Sequence, residues 1–208
     1  MNFIKKIVFN IGRCFSYIIP LSFINICSGV YTICRSGYYQ RFFLKFDNSS
    51  RIKNHVFTHG LSHIKIGKDC VIGKGSTLTA WPERSVNNQS EVIFGDNVKI
   101  GAYSHITAVN KIVIGNNVLT GKNVLITDNA HGTSNLASLN IPPSKREIYS
   151  KGEVIIEDNV WIGEKASILP GTHIGYGSII AANSVVSRDI PPFCVVAGIP
   201  AKIIKRLD

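Results

Sequence analysis

The chain has 208 residues, 45% of them hydrophobic and 17% charged, with a formal net charge of +10. This is the balance of a globular protein of one domain, or of one domain with an appendage. Nothing resembles the interleaved basic and aromatic residues of a nucleic-acid platform, so no nucleic-acid partner is expected.

The basic excess is uneven. Residues 1–54 carry a net +7 and the remainder only +3. The N-terminal excess suits an acidic neighbour such as a membrane surface or a polyanionic glycan, or simply a solvated flank. Within it, "CFSYIIPLSFINICSGVYTIC" from Cys14 to Cys34 holds no charge and is long enough to span a bilayer. Pro20, Asn25 and several serines interrupt it, and no cleavage signature follows. A packed N-terminal cap over residues 1–60 is the favoured reading, with interfacial membrane contact and a spanning helix as alternatives. The five cysteines, Cys14, Cys27, Cys34, Cys70 and Cys194, have no metal-knuckle spacing. They read as inert thiols of a reduced, cytoplasmic protein.

"HVFTHGLSH" then spaces His55, His59 and His63 four apart. On a helix these would converge on a metal. The surrounding Val56, Phe57 and Gly60, with no acidic companion, predict an extended strand instead, and no metal is expected.

A six-residue beat follows. Aliphatic leads stand at Ile66, Ile72 and Leu78, then at Phe94, Ile100, Ile106 and Ile114. They continue through the weak lead Thr120 to Ile126, then at Ile156, Ile162, Ile168, Ile174, Ile180 and Val186. The fourth place of each hexad is mostly Gly, Asn or Asp, residues that accept a left-handed corner cheaply. The fifth is small or β-branched, as at Cys70, Ser76, Ser104, Val118, Ala166, Thr172, Ser178 and Ser184. Three hexads make one triangular coil, and stacked coils bury a continuous apolar column. The period fits neither a helix nor a hairpin sandwich. The prediction is an all-β parallel β-helix over residues 61–190.

Breaks in phase locate loops. "WPERSVNNQS" is inserted after Ala80, two extra residues fall near Lys111, and the largest insert runs over about 132–153. Long loops on a rigid repeat scaffold usually carry function. In the tail, residues 191–208, Pro191 and Pro192 end the coils, and Pro200 is placed to open a short basic C-terminal helix.

Three stretches carry a resemblance: "IVIGNNVLTGKNVLITDNAHG", "VIIEDNVWIGEKASILPGTHIGYGSIIAANSVVSRDIPP" and "VVAGIPAKIIKR". With them the chain from Ile64 onward resembles hexapeptide-repeat acyltransferases, and among these the sugar O-acetyltransferases of the galactoside and maltose type and those acting on bacterial surface polysaccharides. The resemblance implies a left-handed prism and a homotrimer with active sites between subunits. It implies acetyl-CoA as acyl donor, a carbohydrate acceptor, and a cytoplasmic location, with the basic apolar N-terminus open to peripheral contact at the inner face of the membrane.

By the same resemblance His131 is the catalytic base. An imidazole with a pKa near 6.5 suits removal of a hydroxyl proton during attack on a thioester. Neighbouring Asp128 is expected to orient the imidazole or bind sugar hydroxyls. Asn129, His105 and Tyr103 are substrate-binding candidates, Asn129 also reading as a plain left-handed corner. Trp161, Glu164, Ala182, Ser187, Arg188, Lys202 and Lys205 are the implied coenzyme A contacts, the cations facing its phosphates. The large loop is expected to fold over a neighbouring subunit and exclude water, with Lys145 and Arg146 at a basic tip. Alternatives are acylation of an amino sugar, serine or an antibiotic, a metal enzyme on the same prism, and a non-catalytic trimeric scaffold.

Overall fold

The computed structural model describes residues 2–85, 88–133 and 135–207; Val86 and Asn87 of the first insert and Ser134 of the large loop lie outside this set. Three parallel sheets wrap the chain into a three-sided prism. The first coil contributes Lys45–Phe46, Arg51–Ile52 and Phe57–His59 to the first, second and third faces. The next coils begin at Ile64–Ile66, Glu91–Phe94, Lys111–Ile114, Val154–Ile156 and His173–Ile174, and each visits the faces in the same order.

The hexad leads form the core, as the period predicts. On the first face Phe46, Ile66, Phe94, Ile114, Ile156 and Ile174 stand in register. Ile66, Ile114, Ile156 and Ile174 are completely buried. Each such side chain contributes roughly 1.5–3 kcal/mol by leaving water. Thr120 is buried among aliphatic leads because its hydroxyl is satisfied: it accepts the Gly101 N–H at 2.9 Å and donates to the Gly121 carbonyl. The fifth-place residues Cys70, Ser76, Ser104, Val118, Ala166, Thr172, Ser178 and Ser184 are buried at the inner corners. The fourth places Asp69, Asn97, Asn117, Asn123, Asn159 and Asn183 have φ between 53° and 60°. Glycine at the second place answers to a different constraint. A Cβ on Gly121 would lie 2.6 Å from the Glu164 backbone nitrogen of the next coil.

Two boundaries differ from expectation. The prism begins at Lys45, inside the segment read as a cap. Phe46 and Ile52 keep the six-residue beat, but the third place is Thr58, which hides this coil in the sequence. The predicted C-terminal helix is absent, and Ala201–Arg206 is a strand. Gly198, at φ 103°, lets the chain reverse, and Ala201–Arg206 pairs antiparallel with Cys194–Gly198 on the second face. An open sheet edge satisfies that backbone more fully than a single isolated helical turn.

The N-terminal region is helical: α1 spans Asn2–Ile18 and α2 spans Leu21–Gln40. Only the end of α2 acts as the expected cap. Ser36 Oγ accepts the Ile52 N–H at 2.9 Å, an edge donor of the first coil with no strand beyond it. Thr32 and Ser36 are buried there, whereas residues 3–18 of α1 and the first half of α2 are exposed throughout. Cys14, Cys27 and Cys34 share that exposure, while Cys70 and Cys194 are buried in the prism.

Candidate active site

The third-face strand of the fourth coil runs into the loop predicted to carry function. Leu125–Thr127 leads through Asp128 and Asn129 into Ala130–His131, where the chain leaves the prism. The loop returns on its own start: Ala130 and His131 pair antiparallel with Tyr149 and Ile148. Gly132, at φ 78°, makes the turn away from His131, and its N–H donates to the Glu147 carbonyl at 2.9 Å. Arg146 is not a free tip. Its side chain packs beside Gly132 and its Nε donates to the Ile141 carbonyl at 2.9 Å, so it holds the loop together.

His131 is exposed and lines a cleft of about 390 Å³ on the third face. His105 of the third coil and Asn129 share this wall, with Thr79 and Thr107 between them. The two threonines stand in register on the outer side of their strands, Thr79 buried and Thr107 half-buried, and Thr79 Oγ1 lies 3.0 Å from Thr107 Oγ1. Desolvation against the wall holds the His105 pKa below the usual imidazole value, although the ring stays reachable from solvent. The cleft therefore combines two imidazoles with a ladder of hydroxyls and an amide, a lining matched to a polyhydroxylated ligand.

Asp128 does not meet the role expected of it. It is completely buried, and its carboxylate accepts the N–H groups of Val109 and Asn110 at 2.9 and 2.8 Å and the Asn129 amide at 3.1 Å. It braces the two extra residues near Lys111 and forms no hydrogen bond with His131. Asn129 is not a left-handed corner: Thr127 Oγ1 accepts its N–H, and its amide spans to the Thr107 carbonyl at 3.1 Å. Tyr103 occupies a corner instead, at φ 60°, its ring lying against Gly75 and outside the cleft.

Several cleft residues escaped the sequence reading, Thr79 and Thr107 among them. Trp81 and Arg84 come from the insert "WPERSVNNQS", whose one legible signal was its break in phase. Trp81 Nε1 donates to Thr79 Oγ1 at 3.1 Å, and the Arg84 guanidinium lies 5.1 Å from the centre of the Trp81 ring. His59 stacks on Trp81 at 4.0 Å and bonds Glu83 at 2.8 Å. His55 sits at a left-handed corner and His63 ends a short 3-10 turn, so the spaced histidines do not converge. Among the described residues, no three His, Cys, Asp or Glu side chains are grouped to hold a metal ion.

The implied coenzyme A contacts fall on two parts of the prism. Trp161, half exposed, stands on the second face. Register lines up Leu119, Trp161, Ile179, Val195 and Lys205 as one outward row. Lys202 is exposed nearby on the edge strand. Glu164 and Ala182 stack on neighbouring coils just past this face. Ser187 and the exposed Arg188 follow the third face, and Ser187 lines a separate pocket with Ala130, Gly132 and Lys151. One chain thus carries His131 and the Trp161 row on different faces.

Residues 153–188 match the family model of bacterial transferase hexapeptide repeats, and residues 63–80 match that of the hexapeptide repeat of succinyl-transferase. A putative lipopolysaccharide biosynthesis O-acetyl transferase of Escherichia coli K12, WbbJ, is 40% identical over 149 residues, 70% of this chain and 72% of that protein. The chain belongs to the hexapeptide-repeat acyltransferase superfamily. A 2,3,4,5-tetrahydropyridine-2,6-dicarboxylate N-acetyltransferase of Clostridium perfringens is 59% identical, but the match covers only 25% of that protein. The acyltransferase also shares its fold with AntD, an N-acyltransferase from Bacillus cereus crystallised with dTDP and coenzyme A, at a TM-score of 0.68 and 19% identity over 84% of this chain and 89% of the other. A maltose O-acetyltransferase from Clostridium difficile superposes at 0.51 with 26% identity, over 84% and 75% of the two chains. The three parallel sheets and these likenesses fit a left-handed prism.

Proposed function

We propose that this acyltransferase moves an acetyl group from acetyl-CoA to a sugar hydroxyl of a bacterial surface polysaccharide, such as an O-antigen, capsule or exopolysaccharide, with His131 as general base. The observation that carries the reading is the cleft on the third face: an exposed imidazole at one end, with hydroxyls, an amide and a second imidazole along its wall. In the ternary complex the sugar oxygen forms a bond to the thioester carbonyl carbon and the C–S bond breaks. His131 takes the hydroxyl proton and returns it to the departing thiolate, which leaves as coenzyme A thiol. The neutral His105, Thr107 and Asn129 orient the acceptor.

The Trp161 row suits the donor. Leu119, Trp161, Ile179 and Val195 offer an apolar strip to the pantetheine arm, and Lys205 and Lys202 offer cations to the phosphates. His131 and that strip lie on different faces, so the site is completed between subunits of a homotrimer. The large loop walls the acceptor side and keeps water from the thioester. With acetyl-CoA inside the cell, catalysis runs in the cytoplasm.

Thiol release from acetyl-CoA, measured against a panel of bacterial saccharides, tests the reading. Transfer to a hydroxyl acceptor is expected, and His131→Ala should cut it by roughly 10²–10⁴ with folding intact. Acylation only of amines, or a His131→Ala variant at full rate, would overturn it.

A further inference from the structure

We infer that α1 and α2 are an interfacial anchor for an anionic lipid bilayer, holding the first-coil end of the prism, and with it one end of the acceptor cleft, at the membrane surface.

The amphipathicity of α2 is inverted for a helix on a water-facing domain. Its small polar residues Thr32 and Ser36 turn toward the prism and are buried. Its apolar side chains Phe23, Ile24, Ile26, Val30, Tyr31 and Ile33 are all more than half exposed. α1 is amphipathic in its own right. At 100° per residue Ile4, Ile7, Val8, Ile11, Phe15 and Ile18 form one face, and Lys5, Lys6, Arg13 and Ser16 lie opposite, with Phe9 the apolar exception among them. This is the composition of a helix that lies in the headgroup plane.

Charge selects the occupant. Residues 2–46 contain Lys5, Lys6, Arg13, Arg35, Arg41 and Lys45 and no acidic residue. A second copy docking here would bring like charges together, whereas an anionic surface neutralises them. Length selects lying over spanning. Among the described residues no single helix is long and apolar enough to cross a membrane; α1 and α2 reach that length and hydropathy only together, and the pair is bent by 92°. The last turns of α2 are tied to Ile52 of the first coil, leaving residues 21–31 free, roughly 17 Å against a hydrocarbon core of about 30 Å.

The placement also bears on the acceptor, a point that rests on the proposed transfer reaction. The cleft runs from His131 along the third face to Phe57, in the first coil that α2 covers. Three strand spacings, about 14 Å, separate the first coil from the fourth. A saccharide carried on a lipid would enter from the membrane end and present a sugar near the headgroups to His131.

Sedimentation of the full-length protein with vesicles tests the anchor. Binding to phosphatidylglycerol–phosphatidylcholine vesicles, and weak binding to phosphatidylcholine alone, is expected. Replacing Lys5, Lys6 and Arg13 together by Gln should lower that affinity on the order of a hundredfold. Ile7→Asp with Ile11→Asp should abolish it. Both variants should keep the parent thermal midpoint and the parent rate on a soluble acceptor, because every altered side chain is exposed and remote from the cleft. Equal binding of parent and variants, equal binding to both vesicle types, or resistance to carbonate extraction would overturn the proposal. So would a parent that ignores vesicles while Ile7→Asp/Ile11→Asp changes the number of copies in solution. Failure of acetyl transfer with vesicle binding intact would sink the catalytic reading alone.

Discussion

His131 and Ile148 stand opposite each other in an antiparallel pair, so the large loop closes on the backbone of the histidine it follows. The turn between them depends on Gly132, whose φ of 78° costs an L-residue about 1–2 kcal/mol and whose missing Cβ leaves room for Arg146 at 2.9 Å. Gly132→Ala is expected to reduce kcat/KM for acyl transfer at least about tenfold. The thermal midpoint should fall by only a few degrees, because the turn lies outside the stacked core. Steady-state kinetics beside a melting curve checks both halves.

The His105 ring gives the protein an acid-sensitive component. Its folded pKa lies below the unfolded value of about 6.5, because desolvation opposes the cation. Above that value both states are neutral and His105 adds no pH dependence. As pH falls below it, the unfolded chain binds the proton first, and stability declines until the folded pKa is passed. His105→Gln should therefore show a smaller drop in melting temperature between pH 7.5 and pH 5.5 than the parent; an equal drop would assign the effect to other groups.

Asp128 is a brace, and its removal should read as lost stability. Asp128→Ala leaves the buried N–H of Val109 and the N–H of Asn110 without their acceptor. The expected cost is about 3 kcal/mol. Asp128→Asn keeps one oxygen and should cost less. Urea midpoints at unchanged slope measure the difference.

The donor strip predicts a separable defect. Lys202→Gln with Lys205→Gln should raise KM for acetyl-CoA about tenfold and leave kcat near the parent value, since phosphate contacts are the same in ground and transition states. A fall in kcat at unchanged KM would mean that the edge strand serves another purpose.

The hexad leads, the left-handed corners and the points where the loops leave were all legible, because each is a local demand repeated every six residues. Asn129 shows where that legibility stops. It holds a corner place in the sequence, yet Thr127 Oγ1 captures its N–H and the Thr107 carbonyl of the neighbouring coil holds its amide. Asp128 shares a coil edge with His131, which suggests a role toward the imidazole or sugar hydroxyls, but its carboxylate is taken up by Val109 and Asn110 of the neighbouring coil and by Asn129. Trp81 and Arg84 could not be assigned, since nothing in an insert without period says which face it returns to.

Sequence alone determined that this chain is a stacked prism with one imidazole at its deepest phase break, because backbone corners and interior volume constrain every hexad separately. The tertiary structure decided the rest. It set which outward side chains form one row and which sit on opposite faces. It turned Ala201–Arg206 into an edge strand instead of a helix. It directed the small polar side of α2 inward and its apolar side outward. Those outcomes depend on which backbone groups and surfaces remain unpaired once the coils are stacked, and that is a property of the assembled prism, which no single segment holds.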